Sequence, residues 1–317
     1  MDVETPAVGP SDPQDGSKSI SNEVRRRYEA EGFAIRPAVV PGQLIDRLVD
    51  SLHADIFPSR EKFYRQNTAR YEVNHFTSYG YLENALLDLH DYRRHRPFSK
   101  RALELFFCER LLEEMALLTG HTRMQLMQTM LMDANPHTRP HQDWWYPDTV
   151  PNGNLIAAWI ALEDIDERAG AFYVMRDSQS VNLHHDLKTL THREWLARVA
   201  KWEAEHENLR VAPALKKGDV LFWNSSTIHG SLPTRDGRYS RKSATAHYIP
   251  EGAVFGNLFK TKDYIRLKEY EGMKFYKNQP DYSRLHALKS AFRKRAYEHP
   301  ILIRGLRTVQ GTFSRHR

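Results

Sequence analysis

The order of patterns along the chain predicts a mainly β fold with flanking helices (α+β). Five short strand patterns, bounded by Gly, Pro or Asn, occupy the middle of the sequence. Helical patterns precede this block, one interrupts it, and charged helical patterns follow it. Because a sheet buries one face against another layer, such a block predicts a sheet sandwich or barrel with helices packed outside.

The N-terminal part is predicted to be mainly helical. Residues 1–20 are rich in Pro, Ser, Asp and Gly and lack an apolar core, so we expect a disordered lead-in rather than a signal peptide. The next patterns are a helix at 22–28, a strand at 33–35 after Gly32, a helix opening at Pro41-Gly42, a loop-rich region at 58–98, and a helix at 100–118 closed by Gly120.

The central block carries the strand patterns and one well-marked helix. The strand patterns are Met124–Met132, 155–162, 171–174, 219–222 and 243–249. Thr191 and Glu194 form a capping-box pattern, which predicts that a helix begins there. We therefore expect one domain at 21–250 with its β core at about 122–250, followed by a basic helical extension at 251–317 packed on the same domain.

Composition limits the possible classes of protein. The chain has 317 residues, 40% hydrophobic and 27% charged, which is the balance of a globular protein. No run of about 18 apolar residues predicts a membrane span. Cys108 is the single cysteine, so there is no internal disulfide and a thiolate metal site is disfavoured. A reducing, cytoplasmic setting is expected.

Positive charge is concentrated at the C-terminus. From Arg284 onward, nine lysines and arginines accompany only Glu298, a net +8, so the rest of the chain carries about −2 of the total +6. Such a segment can meet an anionic membrane face through peripheral contact, or form a solvated helix surface. No nucleic-acid-binding motif accompanies it, so specific nucleic-acid binding is not expected.

Three residues form a candidate metal-binding motif. His141 and Asp143 are two positions apart, and His229 follows 86 residues later. Pro140 keeps the chain out of a helix, so the first two side chains should share one face of an extended segment while Gln142 points the other way. Two imidazoles and a carboxylate suit non-haem Fe(II), and zinc in a hydrolase is the competing interpretation.

A possible anion-binding residue follows the second histidine. Arg241 begins a strand-like segment 12 residues after His229. Its guanidinium could fork onto the distal carboxylate of a keto acid that chelates the metal, and the Ser231 hydroxyl could join it. Arg235 and Arg238 are rivals for this role, although they lie in a loop that is expected to face solvent.

Taken in order, these segments resemble the phytanoyl-CoA dioxygenase family of Fe(II)/2-oxoglutarate-dependent oxygenases. The resemblance spans about residues 21–250. It is carried by Gln128-Thr129-Met130-Leu131, His141-Gln142-Asp143, Ala158-Trp159-Ile160-Ala161-Leu162, Gly170, Gly218-Asp219-Val220-Leu221-Phe222, His229-Gly230-Ser231 and Arg241-Lys242. Two departures are Met175-Arg176-Asp177-Ser178-Gln179, where the family usually reads Pro-Gly-Ser-His, and one extra residue between His229 and Arg241. Both argue against phytanoyl-CoA itself as the substrate.

The resemblance implies a double-stranded β-helix, a jelly-roll or cupin-like barrel of two sheets. His141, Asp143 and His229 would be catalytic and ligate Fe(II). Arg241 and Ser231 would hold 2-oxoglutarate, and Trp159 and Met130 match positions that line the cosubstrate pocket, although a core role explains both equally well.

The implied reaction is hydroxylation of an unactivated C–H bond with O2, releasing succinate and CO2. The same chemistry could instead give desaturation, cyclisation or epimerisation. A non-catalytic binding barrel or a zinc hydrolase is the alternative from another class. The aromatic and cationic stretches at 64–81 and 144–146 are expected to border a pocket for a small molecule, natural product or glycoconjugate. Basic residues near its mouth would favour an anionic substrate.

Overall fold

The computed structural model describes residues 13–262 and 265–277. Five α-helices lie in these ranges: α1 Pro13–Glu31, α2 Gly42–Ser51, α3 Arg96–Phe106, α4 Glu109–Thr119 and α5 His192–Glu205. A π-helical turn at Leu52–Ile56 extends α2, and short 3-10 turns occur at Leu89–Asp91, Asp143–Trp145, Glu167–Ala169, Ser178–Ser180 and Glu207–Leu209. No helix in these ranges is long and apolar enough to cross a bilayer.

Strands make up the centre of the molecule. They are β1 Phe33–Arg36, β2 Phe63–Arg65, β3 Arg70–Glu72, β4 Leu86–Leu87, β5 Met124–Met132, β6 Asp148–Val150, β7 Ile156–Ala161, β8 Phe172–Met175, β9 Arg210–Val211, β10 Val220–Asn224, β11 His229–Ser231, β12 Ser243–Pro250, β13 Val254–Gly256, β14 Leu267–Tyr270 and β15 Met273–Tyr276. The predicted mainly β class with flanking helices is confirmed.

The strands form one large sheet and two small ones. The large sheet runs β1-β10-β7-β12-β5-β4-β2-β3, with the β14–β15 hairpin attached to β5. The small sheets are β11-β8-β9 and β13-β6. Among the strands of the described ranges, every pairing is antiparallel except that of β15 with β5. Neighbouring strands in the large sheet are often far apart in the sequence, so residues from remote segments share the same interior.

Alternation along β12 separates two cores. Ala244, Ala246 and Tyr248 belong to the core that includes buried residues of α2, α3 and α4. Their neighbours, including Thr245 and His247, point to the opposite face, since successive side chains of a strand alternate. That second face has its own core of Met, Trp and Phe side chains from β5, β7, β8 and β10. It forms the interior that the candidate site uses.

Local signals fixed several element ends. The strand at β5 has the predicted bounds, Thr191 and Glu194 form the predicted capping box, and Gly120 ends α4 with φ of 79°. The single helix predicted at 100–118 is instead two helices. Cys108, at φ −63° and ψ 140°, is extended and breaks them apart.

The two chain ends differ from the sequence prediction. Helix α1 begins at Pro13, so the lead-in expected up to residue 20 is helical over 13–20; residues 1–12 lie outside the described residues. Proline is tolerated in the first helical turn, because the amide proton that it lacks has no partner there.

The extension expected to be helical from 251 contains β13, β14 and β15 instead. Glu271 and Gly272 both have positive φ, at 50° and 79°, which is the two-residue turn that matches strand twist. Phe275 of this hairpin is buried in the core that includes residues of α2, α3 and α4. The basic segment at 284–317 lies outside the described residues.

Candidate metal centre and anion site

Backbone pairing brings the two histidines of the motif together. His141 and His229 form an antiparallel bridge, in which each amide donates to the other's carbonyl at 3.1 and 3.0 Å. Their ring centroids are 4.2 Å apart. One donor atom from each histidine and from Asp143 all lie within 4.8 Å of one another. The structure therefore brings the three predicted ligands, His141, Asp143 and His229, into one group that could hold a metal ion, called the metal group below.

The rings are oriented by main-chain carbonyls. His141 Nδ1 lies 2.8 Å from the Arg139 carbonyl, and His229 Nδ1 lies 3.0 Å from the Thr227 carbonyl. A carbonyl only accepts, so each Nδ1 carries the proton and each Nε2 is left with its lone pair. Both Nε2 atoms face Asp143 Oδ1, at 3.7 and 3.6 Å. This tautomer is the one that binds metals through Nε2.

Asp143 reaches the group by a turn rather than along a strand. Gln142 is extended, but Asp143 begins the 3-10 turn Asp143–Trp145, so the predicted shared face of one extended segment is wrong in detail. Gln142 does point elsewhere, as expected, and its amide donates to the Ser226 carbonyl at 2.6 Å.

The carboxylate of Asp143 is buried and held in its charged form. Burial alone would raise its pKa, but its interactions with the surrounding histidines hold that pKa well below the usual range. Burial lowers the pKa of His229 to about 3, so this imidazole is neutral at physiological pH. A neutral imidazole beside an ionised carboxylate is the protonation state that a metal ligand set needs.

Arg241 occupies another part of the same interior and has no acidic partner among the described residues. Its side chain is 1% exposed, and Nη1 donates to the Gly170 carbonyl at 3.2 Å and to Ser231 Oγ at 2.9 Å. Nε has no hydrogen-bond partner among the described residues. Burial lowers the pKa of Arg241 to about 9. A buried guanidinium without a carboxylate is costly, and a bound anion would compensate it.

The rival arginines face solvent. Arg235 pairs with Glu167 at 3.0 Å and Arg238 with Asp236 at 2.6 Å, and their side chains are 61% and 68% exposed. Both charges are therefore compensated on the surface. Burial distinguishes Arg241 from them.

Trp159 and Met130 line the inner face of the large sheet. Both are in the same core cluster, at 1% and 7% exposure, and both pair with Thr245 in the strand register. Trp159 stacks on Phe172 with centroids 5.5 Å apart, and the Arg241 Cζ lies 5.9 Å from the Trp159 ring centroid. The Trp159 indole N–H has no partner among the described residues. The Trp159 N–H is therefore a second unpartnered donor in this region, in addition to Arg241 Nε.

Two histidines that the sequence left unassigned also reach this region. His247 lies 3.3 Å from Asp143 Oδ2, and His192 Nε2 lies 2.6 Å from the Tyr146 hydroxyl. Tyr146 also contacts the His141 ring, with centroids 5.7 Å apart. The sequence could have placed His247 on the inner face. Arg241 and His247 are six positions apart, and an even spacing along an extended segment puts two side chains on the same face. Nothing in the sequence indicated His192.

The aromatic residues at 144–146 divide between core and surface. Trp145 is 3% exposed and stacks on Trp195 at 4.4 Å, so it is a core residue and not part of a pocket wall. Tyr146 is 38% exposed and lies at the edge of the metal group. Burial raises the pKa of Tyr146 and lowers that of His192 to about 4, so the pair is neutral near pH 7.

The sequence matches a family model over the region that builds this site. The model described as phytanoyl-CoA dioxygenase (PhyH) matches residues 28–243, which include the metal group and Arg241. The chain belongs to this family.

Named relatives agree with this assignment. Peroxisomal phytanoyl-CoA dioxygenase of Homo sapiens is 25% identical over 245 residues, which are 72% of this chain and 68% of the human protein. The Bos taurus enzyme is 27% identical over 164 residues, covering 45% of this chain and 47% of the bovine protein. The bovine match thus spans about half the length of that relative.

Solved structures show the same fold. SnoN, a non-haem α-ketoglutarate-dependent epimerase from nogalamycin biosynthesis, superposes with a TM-score of 0.54 at 16% identity, covering 82% of this chain and 99% of that chain. The carbocyclase SnoK from the same biosynthesis gives 0.51 at 17% identity, covering 75% and 87%. At these identities the likeness shows the fold alone. The predicted double-stranded β-helix is confirmed.

Family membership also decides the class of activity. As a member of the phytanoyl-CoA dioxygenase family, the chain is an oxidoreductase that uses Fe(II), 2-oxoglutarate and O2. The family assignment thus favours the oxygenase interpretation over a zinc hydrolase or a non-catalytic barrel.

Proposed function

We propose that this protein hydroxylates an unactivated C–H bond of a small molecule, with His141, Asp143 and His229 binding Fe(II) and with Arg241 and Ser231 binding 2-oxoglutarate. The observation that carries the proposal is that a two-histidine, one-carboxylate group and an uncompensated buried guanidinium share one interior. When bound, iron and 2-oxoglutarate supply oxidation of the C–H bond by O2, with release of succinate and CO2.

The donor set fits iron. Both imidazoles present Nε2 lone pairs, and Asp143 is ionised and buried at 4% exposure. Nitrogen and oxygen donors without a thiolate suit Fe(II), and three ligands leave further coordination positions for a chelating cosubstrate. The residues of this chain bind and orient, and the buried setting excludes water from the reacting atoms.

Strand geometry supports the placement of the cosubstrate. His229 and Ser231 are two residues apart on β11, so their side chains share one face at about 6.6 Å along the strand. A five-carbon dicarboxylate can span that distance. One end would then reach the metal, and the other would reach Ser231 and Arg241, which already contact each other at 2.9 Å.

Two unpartnered donors support an anion at the far end. Arg241 Nε and Trp159 Nε1 are buried and lack partners among the described residues. Groups of this kind are rarely left unpaired unless a ligand or water completes them. Trp159 and Met130 would also form the apolar wall along the cosubstrate chain, and Trp159 would offer its N–H as well.

An exposed aromatic side chain beside the metal group supports a substrate with apolar surface. Tyr146 is 38% exposed, and its ring contacts that of His141. Aromatic faces with polar tips suit natural-product rings and the sugars of glycoconjugates. Arg139 is exposed two residues before His141, which favours an anionic group on the substrate. A cytoplasmic location and peripheral membrane contact stay predictions.

The test is a metabolite screen coupled to succinate release, preceded by anaerobic addition of Fe(II) and 2-oxoglutarate. We expect the weak visible metal-to-ligand charge-transfer band with the wild type and its loss in His141→Ala. His185→Ala removes an exposed histidine and should keep the band. Metal binding without this band, and without 2-oxoglutarate turnover on any substrate, would contradict the proposal. Product analysis separates hydroxylation from desaturation, cyclisation and epimerisation.

A further inference from the structure

The two carboxylate oxygens of Asp143 face different partners. Oδ1 faces the imidazole Nε2 atoms of His141 and His229. Oδ2 accepts a hydrogen bond from the Trp223 indole N–H at 2.8 Å and lies 3.3 Å from His247 Nε2. We propose that Trp223 and His247 are a positioning pair, which holds Oδ2 so that Asp143 presents only Oδ1 to the metal. This inference rests on the proposed function of the metal group.

Strand register sets this pair in place. Trp223 on β10 and His247 on β12 both pair with Ala157 of the intervening strand β7. All three residues are therefore in one row across the inner face of the large sheet. The methyl side chain of Ala157 leaves room between its neighbours, and the two ring centroids are 6.1 Å apart at an interplanar angle of 87°. A bulkier residue at 157 would occupy the space in which the rings converge.

His247 has no other polar role among the described residues. It is 2% exposed, and neither of its ring nitrogens has a hydrogen bond to a described residue. Its Nε2 lies 3.3 Å from Asp143 Oδ2, and this is its one close contact with an acidic group among the described residues. A buried imidazole normally pairs both nitrogens, as His90 does, with the Thr129 hydroxyl and the Tyr276 carbonyl. The interaction that compensates the burial of His247 is therefore with Asp143.

The pair restricts rotation of the carboxylate. Oδ2 accepts the Trp223 hydrogen bond and lies 3.3 Å from His247 Nε2, so turning Asp143 toward bidentate coordination would break that hydrogen bond and move Oδ2 away from His247. Groups that orient a metal ligand in this way typically contribute 10–100-fold to metal affinity. Without His247, the Trp223 hydrogen bond would hold Oδ2 without the second contact, and the carboxylate would be less strictly oriented.

The test compares His247→Leu with His247→Gln, whose side-chain amide can still donate toward Oδ2. Co(II) serves as the probe, because it takes the same ligands as Fe(II), withstands air and reports its coordination in visible absorption. We expect His247→Leu to raise the Co(II) Kd by about 10–100-fold and to change the absorption spectrum. His247→Gln should keep the Kd within about threefold of the wild type. His90→Leu is the matched control for loss of a buried histidine and should leave the Kd unchanged.

The thermal midpoints of the metal-free variants separate positioning from packing. A positioning role predicts that metal-free His247→Leu still folds cooperatively, with a midpoint close to that of His247→Gln, so that a difference in Co(II) Kd between the two variants does not come from a difference in folding. The proposal is overturned if folded His247→Leu keeps the wild-type Co(II) Kd and spectrum, or if His247→Gln loses as much affinity as His247→Leu. Failure of the wild type itself to bind Co(II) or Fe(II) would contradict the proposed function instead.

Discussion

The metal group and the Arg241 site lie in the same interior and are built in opposite ways. At the metal group, both Nδ1 atoms donate to carbonyls and Asp143 accepts from Trp223, so folding alone supplies the partners. At Arg241, the guanidinium has a hydroxyl and a carbonyl but no carboxylate, and Nε has no partner among the described residues.

This difference shows which part of the site depends on a ligand. At the metal group, hydrogen bonds fix the ring tautomers and hold the carboxylate before any ion binds. The Arg241 site carries a desolvated positive charge that the described residues do not compensate, and burial lowers the pKa of Arg241 to about 9. An anionic cosubstrate would therefore stabilise the second region more than the first.

The largest effect should come from removing a ligand at the metal group. His229→Ala is expected to weaken metal binding by more than ~100-fold, because even the groups that only orient a ligand contribute 10–100-fold. Succinate release should fall below detection. Metal titration and a succinate assay measure both effects, with the exposed His185→Ala as the control. Wild-type affinity in folded His229→Ala would show that the metal lies elsewhere.

Removing the Arg241 guanidinium should have the next largest effect on activity. The same change should stabilise the ligand-free protein. Arg241→Met is expected to raise the KM for 2-oxoglutarate by ~100-fold or more, since a buried charge pair is lost in the complex. The metal-free, ligand-free variant should be more stable by about 1–3 kcal/mol, because a poorly compensated buried charge is removed. Chemical denaturation measures this.

Arg235→Met and Arg238→Met are matched controls for the loss of an arginine. Both side chains are exposed and ion-paired, so each variant should change KM by less than about twofold. A ligand-free Arg241→Met protein that is less stable than the wild type would indicate that the guanidinium is structural.

Acid should destabilise the protein through buried neutral histidines, while Arg241 stays charged. His90, remote from the metal group, has its pKa lowered by burial to about 4, against about 6.5 when unfolded. The unfolded state binds the proton first, so His90 contributes full stability above pH 6.5 and loses it as pH falls toward 4. His90→Gln should reduce the fall of the midpoint temperature between pH 6.5 and 4.5 by a few degrees. If the midpoint temperature of His90→Gln falls with pH as steeply as that of the wild type, then His90 does not contribute to the acid destabilisation.

The smallest effect is expected at the edge of the metal group. Tyr146→Phe removes a hydroxyl that lies 2.6 Å from His192 Nε2, at a residue that is 38% exposed. Loss of one partly exposed hydrogen bond should cost about 1 kcal/mol or less. The metal Kd should stay within about twofold of the wild type, because the carbonyl-bound rings of His141 and His229 do not depend on Tyr146. A tenfold change would mean that Tyr146 orients the His141 ring.

Local signals in the sequence predicted local structure well. The capping box at Thr191, the glycine stop at Gly120 and the apolar run at Met124–Met132 each depend on neighbours in sequence, and all three appear in the structure. The hairpin β14–β15 was missed because its charged composition resembles a helical surface. Its strands are held by packing on β5, which no local pattern encodes.

The sequence by itself determined the fold class, the three candidate metal ligands and a candidate anion-binding arginine. Tertiary structure decided which of three arginines is buried, and which of 16 histidines approach Asp143. The physical reason is strand register. A strand pattern tells which side chains share a face, but pairing between remote strands tells which of them share a row. Only that pairing brings Trp223, Ala157 and His247 together at the carboxylate of Asp143.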